Sequence, residues 1–192
     1  MAINLTKGQR IDVGLQQAGI GLGWNPSNEA SAEPYDLDAS AFMLGEGGKL
    51  VASEFFVFYN QPTSPDGAIR SSGDNKDGEG EGDDETLFAN LGSVDPRVAE
   101  IIFVVTIHEA KMRRQIFGQV RNAFISNYDH ENGQEIRKYE LDGDFSTESS
   151  VEFGALYRRG GTWKFEAIGR GHASGRKVHW ANILDIQKTT LN

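Results

Sequence analysis

With 192 residues, 38% of them apolar, and 11 Phe, 5 Tyr and 3 Trp, the chain can bury one substantial core and has little length for a second. It contains no Cys, which excludes disulfides, thiolate zinc sites, iron–sulfur clusters and thiol redox chemistry, so any metal must be held mainly by oxygen. The net charge of −9 opposes binding to phosphate backbones. The longest apolar run, Ile101 to Val105, falls far short of the roughly 20 residues of a membrane span, and Met1 to Lys7 offers no export signal. The expectation is a single cytoplasmic domain over 1–192 with no nucleic-acid partner.

In chain order, short runs rich in Val, Ile, Phe and Tyr predict strands near 10–14, 19–24, 37–44, 55–59 and 86–90, punctuated by the chain's 23 Gly. The run 101–107 is apolar without alternation, the pattern of a central strand covered on both faces. A turn or two of helix is expected within 109–117. Strands over 120–128 and 135–141 flank Asn132-Gly133, a strong hairpin signal because both residues tolerate positive φ. Alternation places Val151, Phe153, Ala155 and Tyr157 on one face, and Trp163, Phe165 and Ala167 on one face of the next strand, with Arg159-Gly160-Gly161-Thr162 as the turn. Residues 177–187 set Trp180, Ile183, Leu184 and Gln187 at helical spacing. The sum is an all-β sandwich of two mainly antiparallel sheets with one or two short helices, one of them C-terminal.

Charge is concentrated rather than spread. Asp74, Asp77, Glu79, Glu81, Asp83, Asp84 and Glu85 surround a single Lys76, a local balance of −6 that leaves −3 for the other 180 residues. Two unit charges about 8 Å apart in water repel by roughly 0.5 kcal/mol, so folding all these carboxylates together without cations costs several kcal/mol even after screening. Gly78, Gly80 and Gly82 forbid a stable helix and let the backbone turn tightly enough for oxygens to converge. Hard oxygen ligands on a flexible loop suit calcium better than magnesium or zinc. The loop is not an EF-hand, because Thr86 or Phe88 occupies the place of the bidentate Glu. The competing reading is a solvated acidic loop, the usual fate of charge runs.

Asp36-Leu37-Asp38 stands at the mouth of a predicted strand, where two carboxylates on one face can grip a cation while Leu37 turns to the core. The four His are scattered, and His108-Glu109 has no second His at a ligand spacing. Gly19 to Gly23 lacks the following helix of a dinucleotide loop, and there is no nucleophile elbow or Walker loop.

Over roughly residues 1–175 the chain resembles the bacterial tellurite-resistance TerD domain family. The resemblance is carried by Gly21-Leu22-Gly23-Trp24, Asp36-Leu37-Asp38-Ala39-Ser40, Phe58-Tyr59-Asn60, Ser64-Pro65-Asp66-Gly67, Gly73-Asp74-Asn75 with Gly78 through Glu85, Gln115 to Val120, Asn122 to Ile125, Ser146-Thr147-Glu148, Gly154 to Arg158 and Trp163-Lys164-Phe165. It implies a β-sandwich that binds two calcium ions through acidic loops, with the ion role carried by Asp36, Asp38, Asp74, Asn75, Glu79, Glu81, Asp83, Asp84 and Glu85. It also implies a non-enzymatic scaffold or sensor in the cytoplasm. Its partners would be other stress-response or tellurite-resistance proteins, with association at the inner membrane face. Asn25, Lys76-Asp77 and Ile116 depart from the family pattern, and the chain leaves it beyond Gly175. Two alternatives from other classes stand beside this reading: a metal-dependent hydrolase, and a carbohydrate- or nucleotide-binding module bridged by calcium.

Overall fold

The computed structural model describes residues 3–4, 6–25, 34–73, 83–131, 135–140, 145 and 147–173. Twelve strands are placed: β1 (Ile3–Asn4), β2 (Arg10–Asp12), β3 (Gln17–Asn25), β4 (Leu37–Leu44), β5 (Phe56–Val57), β6 (Ile69–Ser71), β7 (Glu85–Asn90), β8 (Glu100–Ile107), β9 (Arg121–Asp129), β10 (Glu135–Glu140), β11 (Ser150–Arg159) and β12 (Thr162–His172). They form two six-stranded sheets, in the orders β1-β10-β9-β3-β7-β6 and β2-β12-β11-β8-β4-β5. Every pairing is antiparallel except β1 with β10. One helical turn, α1 (Ala110–Arg113), and 3₁₀ turns at Ser53–Phe55 and Phe117–Gln119 complete the described elements.

The core lies between the sheets. Ile20, Leu22 and Trp24 of β3, Leu87 of β7 and Ala123 and Ile125 of β9 meet Leu37 and Met43 of β4, Ile101, Phe103 and Val105 of β8 and Phe165 of β12. As the unbroken apolar run requires, β8 is central, flanked by β4 and β11, with Ile101 to Val105 all buried. Among the described residues no helix is long and apolar enough to cross a membrane.

One expectation is corrected, and two strands carry no signal in the sequence. The alternation along β11 does not hold: a bulge between Glu152 and Gly154 shifts its phase, so Val151, Phe153 and Leu156 face the core while Ala155 packs on the opposite side. Gly154 sits where a side chain could not, its missing Cβ lying 2.4 Å from the Phe165 ring. The turn or two of helix expected within 109–117 forms as the single turn α1, bounded by Glu109 and Arg114 with φ of 51° and 54°. Strands β1 and β6 are too short to leave a periodic signal. The Gly160-Gly161 turn forms as read, with φ of 60° and 81°. Asn132-Gly133 and the 177–187 helix lie outside the described residues.

Candidate acidic-loop site

Strands β4, β7, β8 and β9 all begin or end at one end of the sandwich, and three chain segments are pinned there. The Trp24 indole N–H donates to the Tyr35 carbonyl (3.0 Å), and the His108 amide donates to the Asp36 carbonyl (2.8 Å). Together they fix the entry to β4 between the end of β3 and the β8–β9 connection. The Ser72 amide donates to the Thr86 carbonyl (2.8 Å), and the Thr86 amide donates back to Ser72 Oγ (2.9 Å). These bonds extend the β6–β7 pairing, so the acidic stretch is the loop of a hairpin whose two feet are held beside β3.

The described candidates occupy distinct seats around this end. Asp36 is buried at 8% exposure, and Leu37 after it points into the core as the alternation requires. Asp38 lies on the outer face of its sheet, with Oδ2 3.5 Å from His108 Nδ1. Glu85, at 4% exposure, shares its phase with core-facing Leu87, and its Oε2 accepts the Ala39 amide (2.8 Å), bridging the two sheets. Asp84 is held at the β3 edge by two bonds: its amide donates to the Leu22 carbonyl (2.8 Å), and its Oδ2 accepts the Trp24 amide (2.9 Å). Asp83 lies over the outer face of the other sheet, where Ser126 Oγ stands 2.9 Å from both carboxylate oxygens. Asp74, Asn75, Glu79 and Glu81 lie outside the described residues. Among the described residues no three His, Asp or Glu side chains gather as a metal cage.

The seat of Asp83 depends on residues that composition and motif do not single out. A Cβ at Gly21 would lie 1.9 Å from Asp83 Oδ2, and one at Gly19 would lie 2.2 Å from the Tyr128 ring. The outer face of β3 is therefore a glycine trough, filled by one side chain from the acidic hairpin and one from β9. Burial raises the Tyr128 phenol above its ordinary pKa and the Asp83 charge adds to the rise, against a hydrogen bond with Thr86 that lowers it. The signal available beforehand was the period-2 spacing of Gly19, Gly21 and Gly23, which marks a strand face open to close approach.

The family model described as the TerD domain matches residues 1–178. The chain belongs to the TerD family. It is 45% identical over 180 residues to the tellurium resistance protein TerD of Serratia marcescens, covering 91% of this chain and 93% of that one. To general stress protein 16U of Bacillus subtilis (strain 168) the identity is 43%, with the same coverage. The fold matches the crystal structure of a TerD homologue from Streptomyces coelicolor A3(2) with a TM-score of 0.72 at 26% identity, over 88% of this chain and 96% of that one. The matched residues of this TerD-family chain include the acidic hairpin, the β4 entry and both sheets.

Proposed function

We propose that this TerD-family chain is a calcium-binding stress-response module, a scaffold or sensor without a catalytic role. In this reading the acidic hairpin is ordered by the ion and then presents a surface to another component of a tellurite or stress response, in the cytoplasm. The observation that carries it is the placement of the hairpin. Its described feet, Ser72 and Asp83 to Thr86, are clamped at the end of the sandwich where Asp36 is buried, and the second foot carries Glu85, itself buried, from a stretch of net charge −6. Anions gathered there repel one another, and a cation relieves the repulsion.

The donor chemistry fits calcium, since the candidates offer carboxylate, amide and carbonyl oxygens and no thiolate. In this reading Asp36, Asp38 and Asp84 would share the ion with Asp74, Asn75, Glu79 and Glu81. Glu85 ties the sheets together through the Ala39 amide, and Asp83 holds the hairpin's second foot. When bound, the ion supplies charge neutralisation and order. The names of the relatives, tellurium resistance and general stress, support the response in which the module would serve.

Titration calorimetry of the chelated protein is expected to show calcium binding. At free calcium 100-fold above Kd, ligand linkage adds about 2.7 kcal/mol, which raises Tm by roughly 5–10 °C for a domain of this size. No heat of binding together with an unchanged Tm overturns the proposal.

A further inference from the structure

The connection from β8 to β9 lies at the same end of the sandwich as the feet of the acidic hairpin, and its base is anchored. Ala110 and Phe117 belong to the core, the Phe117 amide donates to the Glu148 carbonyl (2.8 Å), and the Gln115 amide closes back onto the Ala110 carbonyl (2.9 Å). Between these anchors stands α1, whose flanking residues Glu109 and Arg114 both hold positive φ. That conformation is uncommon outside glycine, and here it sets the direction of the chain on each side of a single turn.

The turn presents Lys111-Met112-Arg113-Arg114. Met112 is 73% exposed, the one large apolar side chain so open among the described residues. Lys111 and Arg114 beside it are exposed as well, while the Arg113 guanidinium leans back to Glu109 at 3.4 Å. Three cations in four residues run against the net charge of −9. An apolar side chain set among cations suits the boundary of an anionic bilayer, where the thioether enters the acyl region and Lys and Arg stay at the phosphates. A protein partner would need a surface shaped to the tip over about 800 Å² per side, whereas lipids close round a lone side chain without one.

We infer that the α1 tip docks on bilayers containing anionic phospholipid, and that the acidic hairpin governs the docking. The two are neighbours. The His108 amide, two residues before α1, is bonded to the Asp36 carbonyl, and three residues on from Asp36 the Ala39 amide is bonded to Glu85 of the hairpin foot. Three strand residues span about 10 Å, close to the screening length at about 0.1 M salt. Bare, the stretch of charge −6 repels the phosphates that attract the tip; with its charge offset by calcium, the tip's cations prevail. The control by calcium rests on the function proposed above, and the lipid contact does not.

The full chain is sedimented with vesicles of mixed phosphatidylglycerol and phosphatidylcholine. Each basic residue near an anionic surface strengthens binding roughly fivefold, so binding in calcium is expected to exceed that to pure phosphatidylcholine, and that in chelator, by about tenfold or more. Lys111→Glu with Arg114→Glu should weaken it by a similar factor and Met112→Ser several-fold, while Lys49→Glu, beyond the far end of β4, leaves it unchanged. With methyl-labelled methionine, spin-labelled lipid should broaden the Met112 signal and spare that of buried Met43. Melts and calcium titrations of each variant show that it is folded and loaded. A calcium-loaded chain that ignores anionic vesicles, or binds them equally after the α1 substitutions, overturns the inference and leaves the tip to a protein partner. Equal binding by the loaded and chelated chain overturns the hairpin's control. A chain that takes up no calcium yet binds anionic vesicles through Met112 upholds the lipid contact and overturns the calcium reading alone.

Discussion

Gly21→Ala tests whether the acidic hairpin is seated by the glycine trough. The added methyl would fall 1.9 Å from Asp83 Oδ2, 2.1 Å from its Cγ and 2.5 Å from Oδ1, all far inside contact, so the carboxylate must leave its place over β3. What is lost is its charge-assisted hydrogen bond with Ser126 Oγ, 2.9 Å to either oxygen. Such bonds contribute about 1.5–3 kcal/mol when sheltered. Asp83 is exposed and Ser126 buried, which places this one at the lower end. Alanine in a strand returns roughly 0.5–1 kcal/mol relative to glycine, so the net loss is about 1 kcal/mol and Tm falls by roughly 2–4 °C. Ser126→Ala removes the same bond without the clash. If both act on one contact, the double variant should be little worse than either alone, by a non-additivity of about 1 kcal/mol. Thermal melts of the four proteins in chelator, repeated in calcium, measure this. A Gly21→Ala protein as stable as the parent, or effects that simply add, would refute the seating.

Three further outcomes follow from the same structure. Asp83→Asn should lower the Tyr128 pKa toward its ordinary value, seen by tyrosinate absorbance. Because that pKa is raised in the folded protein, its stabilising contribution is present below about 10 and drains away as pH rises through the folded value. Gly154→Ala, whose Cβ would meet the Phe165 ring at 2.4 Å and the Glu166 carbonyl at 3.1 Å, should cost about 1–3 kcal/mol in denaturant melts by overpacking at the bulge. Asp95 has its pKa lowered to about 2 by side-chain and backbone hydrogen bonds from Arg97. Its contribution is present above the ordinary carboxylate pKa and lost as pH falls toward 2, and Arg97→Ala, which removes the guanidinium but keeps the backbone amide, should move the carboxyl titration, followed by NMR, part of the way back toward the ordinary range.

The sandwich was largely legible because its signals are local. The unbroken run of β8 has one physical meaning, burial on both faces, and the Gly160-Gly161 turn another, two positive φ angles in a two-residue hairpin. What stayed hidden depends on distant partners. The bulge in β11 reverses the faces of Ala155 and Leu156, and it accompanies the Phe165 ring over Gly154, eleven positions along the chain and outside any local pattern that could announce it. α1 is bounded by positive φ at Glu109 and Arg114, which propensity disfavours and only the surrounding packing can impose.

The acidic stretch divides along the same line. Its composition identifies a place of high negative charge, but the sequence treats Asp83, Asp84 and Glu85 as three equal neighbours. The fold does not. Strict alternation would set Asp83 and Glu85, two apart, on one side, but the chain bends at Asp84 before β7 begins, so Glu85 turns inward to the Ala39 amide of the facing sheet and Asp83 outward to Ser126, with Asp84 against Trp24 at the end of β3. Three adjacent acids thus fasten the hairpin to both sheets and to the end of β3. The consequence is mechanical: whatever draws the hairpin's remaining carboxylates together pulls on both layers of the sandwich through Asp83 and Glu85. Ordering of the loop should therefore register in amide exchange of β9 and of β4, neither of which belongs to the hairpin.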